Sequence, residues 1–381
     1  MLPFSNTDFF IFFGAAVFLL FICKLLLSKF IPYKLVLLFI TLYYLTFLFP
    51  NPLQAFGFVI YCYSIYWLFD YVLKIKQRLL GVILLLLPML FVKLKFQTDV
   101  LSFAGLSYTT FRVIQIYLDN NSDKKPANLI TYILFMLFPA TLLIGPIDRF
   151  NRFQSDLDSG YTNLSKIRFF QGYETILLGF LQKFIVAELL NRYWLKGINY
   201  ESKELGDMAQ YMYAYTFYLY FDFAGYSNLA VGLGKMCGID VPFNFNIPFL
   251  AINPQDFWKR WHASLGDWLR DYIFRPYYKW ISGKKSLKNY SLFKQNSGLF
   301  LTFTTMGLWN GFKANFIISG CVFGLYSVVH NTYLVQCRKK GRDVIFMNLN
   351  SSTVKYLSIF FMFNFACFAM YIFSGKFPFI K

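Results

Sequence analysis

The sequence predicts an all-α polytopic membrane protein, and three observations carry that prediction. Of its 381 residues, 57% are hydrophobic, and phenylalanine alone occurs 49 times. Only 15% are charged, against about 25% in ordinary soluble domains. Apolar stretches long enough to cross a bilayer recur along the whole chain. A soluble enzyme, a disordered chain and a fibrous repeat are excluded, and one membrane-embedded domain is expected over residues 1–381.

A helix that crosses about 30 Å of hydrocarbon needs roughly 20 residues. The apolar stretches that predict such helices are, in order, Phe9–Leu27, Leu35–Phe49, Ala55–Leu73, Leu79–Val92, Leu129–Ile144, Phe169–Leu189, Ala209–Val231, Leu299–Leu308, Phe316–Val335 and Tyr356–Ser374. Two further stretches, Leu101–Leu118 and Phe245–Tyr278, mix charged and aromatic side chains. Tilted, broken or re-entrant helices are expected there, since irregular backbone at membrane depth needs a cover of protein or water. The total comes to about 11 spans, within a range of roughly 10 to 12.

The charge pattern indicates the orientation of the chain. There are 37 basic and 19 acidic residues, a formal net charge of +18. In so apolar a chain this favours an anionic membrane surface, and no nucleic-acid partner is expected. Lysines follow the first and third predicted spans, whereas Met1–Asp8 and Asn51–Gln54 contain none. The positive-inside rule therefore predicts a multi-pass protein of the cell membrane with an extracellular N-terminus.

Two basic clusters late in the chain are expected in the cytoplasm. The stretch 275–294 holds six basic residues and no acidic one, and its central members are Lys284, Lys285 and Lys288. Lys339, Lys340 and Arg342 form the second cluster. Each cluster either marks the cytoplasmic side alone or docks an acidic cytosolic partner, and both interpretations stay open.

Candidates for proton-transfer chemistry are few, because the chain contains two histidines, His262 and His330. Imidazole is the side chain best suited to accept a proton near neutral pH. His262 lies in the segment Phe257–Tyr272, which mixes three tryptophans with charged residues. This segment is either a helix at the membrane surface or the wall of a polar tunnel. For His330, which ends a predicted span, an interfacial position is the simpler interpretation.

Other charged residues give more local expectations. Arg260 and Asp267 are seven residues apart, so on one continuous helix they share a face and can pair. Asp148 is expected to pair with Arg149, its neighbour. Asp222 has no basic neighbour in sequence, which indicates an intramembrane role. The six cysteines have no metal-ligand spacing, so they are interpreted as small apolar side chains, and no metal site is expected.

Several stretches become familiar when they are taken together, namely Ser102–Tyr108, Gly145–Arg149, Tyr220–Tyr226, Phe257–Tyr272 and Tyr371–Lys376. In this order they resemble the membrane-bound O-acyltransferase family over nearly the whole chain. The resemblance is closest to its DltB branch, the D-alanyl transfer proteins of teichoic acid modification. The branches that O-acetylate alginate or peptidoglycan share the patterns around His262 and remain alternatives.

The resemblance implies a ring of membrane helices, with short or re-entrant helices around a central tunnel. The implied donor is D-alanine held as a phosphopantetheine thioester on an acidic acyl carrier protein in the cytoplasm, with no cofactor bound to the chain itself. The implied acceptor is a hydroxyl of a teichoic-acid-type polymer, reached directly or through an extracellular acyl-transfer partner. The residues that would line or support the tunnel are Trp261, Ser264, Arg270, Asp271, Asp222 and Trp309, while Lys284, Lys285 and Lys288 would dock the carrier protein.

At one central position the chain departs from the family pattern. His262 matches one family histidine, but Asn310 stands where the family has the histidine assigned as catalytic, and Phe323 stands where a further histidine is frequent. A carboxamide cannot act as the base, although it can hold a carbonyl oxygen. Either His262 is the base while Asn310 orients the substrate, or the chain is an inactive scaffold, or His330 reaches the site. A solute transporter fits the composition alone, although no inverted repeat is visible.

Overall fold

The computed structural model describes residues 7–49, 51–69, 78–94, 105–119, 128–143, 145–341 and 351–380. Within these ranges every regular element is a helix, so the predicted all-α class is confirmed. Three of the described helices are long and apolar enough to cross a membrane: Thr7–Leu27, Ala314–Lys339 and Ser352–Phe373. Two shorter apolar helices occupy Tyr33–Leu48 and Leu79–Lys93. The predicted ring and its total of about 11 spans stay predictions.

The chain divides into two compact units. The first consists of Met1–Leu181 and Gly225–Phe243, and the second of Gln182–Ala224 and Asn244–Lys381. The helices of the first unit are α1 (Thr7–Ile22), α2 (Tyr33–Leu48), α3 (Pro52–Trp67), α4 (Arg78–Lys93), α5 (Leu106–Asp119), α6 (Leu129–Leu137), α7 (Phe150–Ser159) and α8 (Lys166–Phe180). Asn51, Asn128 and Ser165 begin α3, α6 and α8, because each side chain accepts an N–H of the first turn.

Arg112 holds the end of α6 in the first unit. Its side chain is 1% exposed and donates to the carbonyl oxygens of Phe135 at 2.8 Å, Met136 at 3.1 Å and Thr141 at 2.6 Å. The last carbonyls of a helix have no partner inside the helix. A buried guanidinium supplies several donors at once, so one side chain on α5 satisfies the end of a neighbouring helix.

The second unit contains the segment around His262. Its helices are α9 (Ala187–Leu189), α10 (Leu205–Met236, whose last residues belong to the first unit), α11 (Pro254–Arg260), α12 (Ala263–Leu269), α13 (Arg275–Ser282), α14 (Ser291–Asn310), α15 (Ala314–Lys339) and α16 (Ser351–Phe373). The predicted break within Phe245–Tyr278 is confirmed, because α11 and α12 have seven residues each and are separated by Trp261 and His262. A π-helical turn at Arg270–Phe274 leads on to α13.

The other expected irregular stretch is regular where it is described. Leu106–Asp119 is one continuous helix, and a left-handed glycine, Gly105 with φ 94°, precedes it. Of the three expected alternatives, a break is therefore not found within Leu106–Asp119, while a tilted or re-entrant course stays a prediction. Residues 101–104, 70–77, 144 and 342–350 lie outside the described residues, and with them parts of the predicted spans, of the Ser102–Tyr108 stretch and of the basic loops.

Helices α14 and α15 pack backbone against backbone. A Cβ atom added at Gly320 would lie 2.5 Å from the carbonyl oxygen of Phe303, and one at Gly307 would lie 2.5 Å from that of Phe316. Contact this close is open only to glycine. The two glycines therefore fix the position of the last turn of α14 relative to α15. This turn carries Trp309 and Asn310.

We expect Gly320→Ala to destabilise the second unit by about 1–3 kcal/mol, since the added methyl group has no space and the helices must separate. The loss should appear as a lower midpoint of thermal unfolding of the protein in detergent. Gly206→Ala in α10 is the matched control, because nothing lies within 4 Å of its added Cβ. Equal midpoints for the two variants would contradict the backbone contact.

Candidate active site

His262 forms the junction between two short helices. Its backbone is left-handed, with φ 47° and ψ 49°, a conformation that costs a residue with a side chain roughly 1–2 kcal/mol. On one side, the N–H of Trp261 donates to the carbonyl of Phe257 at 2.7 Å and ends α11. On the other side, the carbonyl of His262 accepts the N–H groups of Leu265 and Gly266 at 3.0 and 3.1 Å. The chain therefore turns sharply at the histidine, between the two helices.

An extended loop before α11 closes the hydrogen bonds that this turn leaves open. The N–H of Asn246 donates to the carbonyl of Arg260 at 3.0 Å, and the N–H of Ala263 donates to the carbonyl of Asn244 at 3.0 Å. The side chain of Asn244 also accepts the N–H and the hydroxyl of Ser264, at 3.2 and 2.6 Å. Ser264, a predicted site residue, is thus buried in the support of His262.

The imidazole of His262 is enclosed, with 8% of the residue exposed. The ring meets Phe223 edge to face, with centroids 4.7 Å apart at 81°. Its Nδ1 is buried and has no hydrogen-bond partner among the described residues. A neutral imidazole can accept a proton from a substrate hydroxyl.

Trp261 is a packing residue. It is 4% exposed, and its ring contacts Phe257, Phe245 and Tyr220 at centroid distances of 5.7, 5.4 and 6.1 Å. These contacts place Trp261 in an aromatic cluster beside the turn, and its predicted supporting role stays a prediction.

The charged residues of the segment pair along the chain rather than across the turn. Arg270 contacts Asp267 at 2.5 Å and Asp271 at 3.0 Å. Arg260 instead pairs with Asp256, at 2.8 Å. The predicted Arg260–Asp267 pair is therefore wrong, because the left-handed turn at His262 interrupts the helix face that both residues would have shared.

Asp222 has an ion-pair partner that is distant in sequence. Its carboxylate lies 2.5 Å from the ammonium group of Lys183, with 37% and 19% of the two side chains exposed. Lys183 lies in a π-helical turn, Leu181–Val186. Asp222 also immediately precedes Phe223, the residue against the imidazole, so this ion pair anchors the stretch of α10 beside His262.

The ion-pair partner of Asp148 also differs from the predicted one. The predicted ion pair with Arg149 is wrong, since the carboxylate lies 2.5 Å from the guanidinium of Arg152 and accepts the backbone N–H of Arg149. A residue four positions on in α7 faces back toward the start of its helix, whereas an adjacent side chain points away.

A cavity of about 300 Å³ lies within the second unit, among α11, α12, α14 and α15. Its walls are mainly apolar, and the polar groups come from Lys259, Asp267, Arg270, Thr302 and Ser327, besides Gln255. Of the predicted tunnel residues, Arg270 is part of this lining. The volume suits a small ligand or one extended arm of a larger molecule.

Asn310 ends α14, one turn beyond Met306, a lining residue of the cavity. The amide is exposed, and its Nδ2 donates to the carbonyl of Met306 at 2.9 Å, so the side chain caps its own helix. Among the described residues no hydrogen bond joins Asn310 to His262. Trp309, the neighbouring predicted residue, is half-buried. His330 is half-buried on α15, nearly one turn beyond Ser327.

The three predicted docking lysines follow α13. Lys284, Lys285 and Lys288 are exposed, and the ammonium of Lys284 lies 4.7 Å above the ring of Trp280. Trp280 itself is 60% exposed. A basic surface with an exposed aromatic side chain thus precedes α14.

Sequence reasoning missed three residues of the site: Asn244, Phe223 and Lys183. Each acts through a contact between distant parts of the chain. Phe223 lies in the familiar stretch Tyr220–Tyr226, but that pattern assigned it no contact, and Asn244 and Lys183 belong to no motif. The only sequence signal is a polar residue, Asn244, between two phenylalanines ahead of the broken segment.

A model of the MBOAT, membrane-bound O-acyltransferase family matches residues 9–373. The chain belongs to the membrane-bound O-acyltransferase family. The resemblance drawn from the sequence is thereby confirmed, and with it a membrane acyltransferase.

The curated relatives include two kinds of acyltransferase. A teichoic acid D-alanyltransferase of Bacillus subtilis (strain 168) is 38% identical over 283 residues, 73% of this chain and 70% of that protein. The teichoic acid D-alanyltransferase of Streptococcus thermophilus is 30% identical over 395 aligned positions, 98% of this chain and 95% of that protein. A probable alginate O-acetylase of Pseudomonas aeruginosa is 33% identical over 234 residues, 61% of this chain and 43% of that protein.

The ion pair of this acyltransferase site gives a stability prediction. We expect Lys183→Met to lower the unfolding midpoint, because it leaves the partly buried Asp222 carboxylate without its ion-pair partner. The double variant Lys183→Met/Asp222→Asn should recover part of the loss. Arg192→Gln, which removes an exposed pair with Glu188 at 3.9 Å, is the control and should change little. Thermal unfolding in detergent measures all three; a double variant less stable than Lys183→Met would argue against the pairing.

Proposed function

We propose that this acyltransferase passes D-alanine from a carrier-protein thioester to hydroxyls of a teichoic-acid-type polymer of the cell envelope. The observation that supports it best is the similarity to teichoic acid D-alanyltransferases, one of which aligns over 98% of this chain. The alginate O-acetylase similarity covers 61% of the chain. D-Alanine is therefore favoured over acetate as the transferred group.

The proposed reaction exchanges one ester bond for another. The hydroxyl oxygen of the acceptor attacks the thioester carbonyl, while the neutral imidazole of His262 takes the hydroxyl proton. The tetrahedral intermediate collapses, the C–S bond breaks, and the imidazolium returns the proton to the leaving thiolate. The new ester remains on the polymer, and the thiol remains on the carrier, so no other reactant is consumed.

The cavity of the second unit is the proposed path of the donor arm. Its apolar walls suit an extended pantetheine chain, and Met306 in its lining is one turn from Asn310. In this proposal Asn310 releases its bond to the Met306 carbonyl when the substrate arrives. Its amide N–H then donates to the carbonyl oxygen, as in an oxyanion hole.

The proposed carrier docks on the basic surface of Lys284, Lys285 and Lys288. Acyl carrier proteins of this type are acidic, so the attraction is electrostatic and guides the arm toward the cavity. An extracellular acyl-transfer partner and a second candidate function, O-acetylation of an exopolysaccharide or of peptidoglycan, remain compatible with the same chemistry. The alginate O-acetylase similarity is the observation that favours the second function.

A third candidate, a scaffold without activity, is motivated by Asn310. General-base catalysis contributes roughly 10²- to 10⁴-fold, so a chain without any base would be nearly silent. In the scaffold proposal His262 has no chemical role, and the chain binds the carrier without transferring its cargo.

The decisive assay follows labelled D-alanine from a loaded carrier protein to membrane acceptors. We expect the native chain to transfer and His262→Ala to lose at least 10²-fold in rate, because no other imidazole lies in the aromatic cluster around Trp261. Asn310→His should remain active or gain activity.

Each result of this assay favours one candidate. A silent native chain with an active Asn310→His variant would support the scaffold and contradict the proposed function. Transfer of acetyl but not of D-alanyl groups would support the second function. Unchanged transfer by His262→Ala would remove His262 from the mechanism.

The docking surface gives a separate prediction. Replacing Lys284, Lys285 and Lys288 by Gln should raise the KM for the carrier protein with little change in kcat, and weaken its dependence on salt. The control is the triple variant of Lys196, Lys203 and Lys313 to Gln, with equal charge removed. Lys313 follows the opposite end of α14, about 30 Å from the start of that helix. Equal effects in both variants would indicate a general charge effect and no docking surface.

A further inference from the structure

We infer that Asn244 is a positioning residue for His262, holding the imidazole in the orientation that acyl transfer requires. The inference rests on the proposed function of His262 as the base. Nothing in the family comparison or in the sequence pattern assigns Asn244 a role. Three observations support it: the three hydrogen bonds of Asn244, the strained backbone of His262, and one buried nitrogen in each of the two side chains.

The orientation of the Asn244 amide follows from its partner. The backbone N–H of Ser264 can only donate, so the atom that faces it at 3.2 Å must be Oδ1 and not Nδ2. The same oxygen accepts the hydroxyl of Ser264 at 2.6 Å. The backbone carbonyl of Asn244 accepts the N–H of Ala263 at 3.0 Å. One residue thus binds both residues that follow His262.

These bonds maintain a conformation that the histidine would otherwise leave. A left-handed backbone is unfavourable for any residue with a Cβ, and it persists only where its surroundings overdetermine it. Here the surroundings are the three hydrogen bonds of Asn244 on one side and the edge-on contact with Phe223 on the other. Without Asn244, the peptide after His262 can rotate and the imidazole turns with it.

The amide nitrogen of Asn244 indicates that this residue does more than pack against its neighbours. Asn244 is 1% exposed, and its Nδ2 has no hydrogen-bond partner among the described residues, which is also true of Nδ1 of His262. A buried polar atom without a hydrogen-bond partner destabilises the folded protein. A turn selected for stability alone would avoid both. The two nitrogens lie where a hydroxyl and a thioester are proposed to react, so a polar substrate can form hydrogen bonds with them.

The chain offers an unusually clean spectroscopic test, since it has two histidines. Labelling with ¹⁵N-histidine gives two sets of ring signals, and His330→Gln assigns them. Asn244→Ala should shift or broaden the His262 signals and leave those of His330 in place. Asn246→Ala is the matched control: the same amide two residues on, exposed, with its contacts to Arg260 made by its backbone. It should leave both sets unchanged.

The transfer assay provides the second readout. Asn244→Ala should lower kcat on the order of 10- to 100-fold, with KM within about twofold, because a misplaced base slows the chemical step and not binding. Asn244→Asp keeps the acceptor oxygen for Ser264, and it should recover at least half of the loss on a logarithmic scale. In the His262→Ala background, Asn244→Ala should add nothing, since a positioning residue acts through the group it positions.

The outcomes separate this inference from the proposed function. A native chain without transfer overturns the function, while the His262 signals still decide the role of Asn244. Unchanged His262 signals in Asn244→Ala, or an additive loss in the double variant, overturn the positioning role and leave the function intact. If Asn244→Ala does not fold, Ser264→Ala removes one partner of the same oxygen and should shift the His262 signals in the same direction; unchanged signals there overturn the role.

Discussion

Polar backbone groups buried in a protein or a bilayer need partners, and an unsatisfied one costs several kcal/mol where no water is present. This constraint governs the second unit. The chain breaks a helix at Trp261 and His262, and each group released by the break is taken up nearby. The carbonyl of Arg260 accepts from Asn246, and the N–H of Ala263 donates to Asn244. The loop before α11 therefore supplies the hydrogen-bond partners of the turn, and this role accounts for its conformation.

The break changes the surroundings of His262, because a residue in the turn does not follow helical geometry. On a continuous helix His262 would point along one face and pack with its neighbours three and four residues away. In the turn it meets Phe223 edge-on, inside an aromatic cluster that includes Trp261 and Phe245. A neutral imidazole is the form a general base needs.

The last turn of α14 is held in place by its contact with α15, independently of the side chain at position 310. Gly307 and Gly320 bring α14 and α15 into backbone contact, which fixes the last turn of α14 whatever residue stands at position 310. Asn310 occupies the turn by capping the Met306 carbonyl. The side chain at position 310 can thus be changed while the scaffold stays in place, so activity and architecture can be tested separately.

The sequence alone determined the all-α membrane class, because hydropathy and span length are properties of consecutive residues. It also predicted the broken segment around His262, since charge within aromatic surroundings cannot form a simple span, and the ordered motifs indicated the family. It did not predict the partners: Asp222 binds Lys183, Arg260 binds Asp256, and Asn244 supports His262. Local patterns assume a regular helix, and the left-handed turn at His262 ends that regularity, so only the tertiary structure decides which groups meet across it.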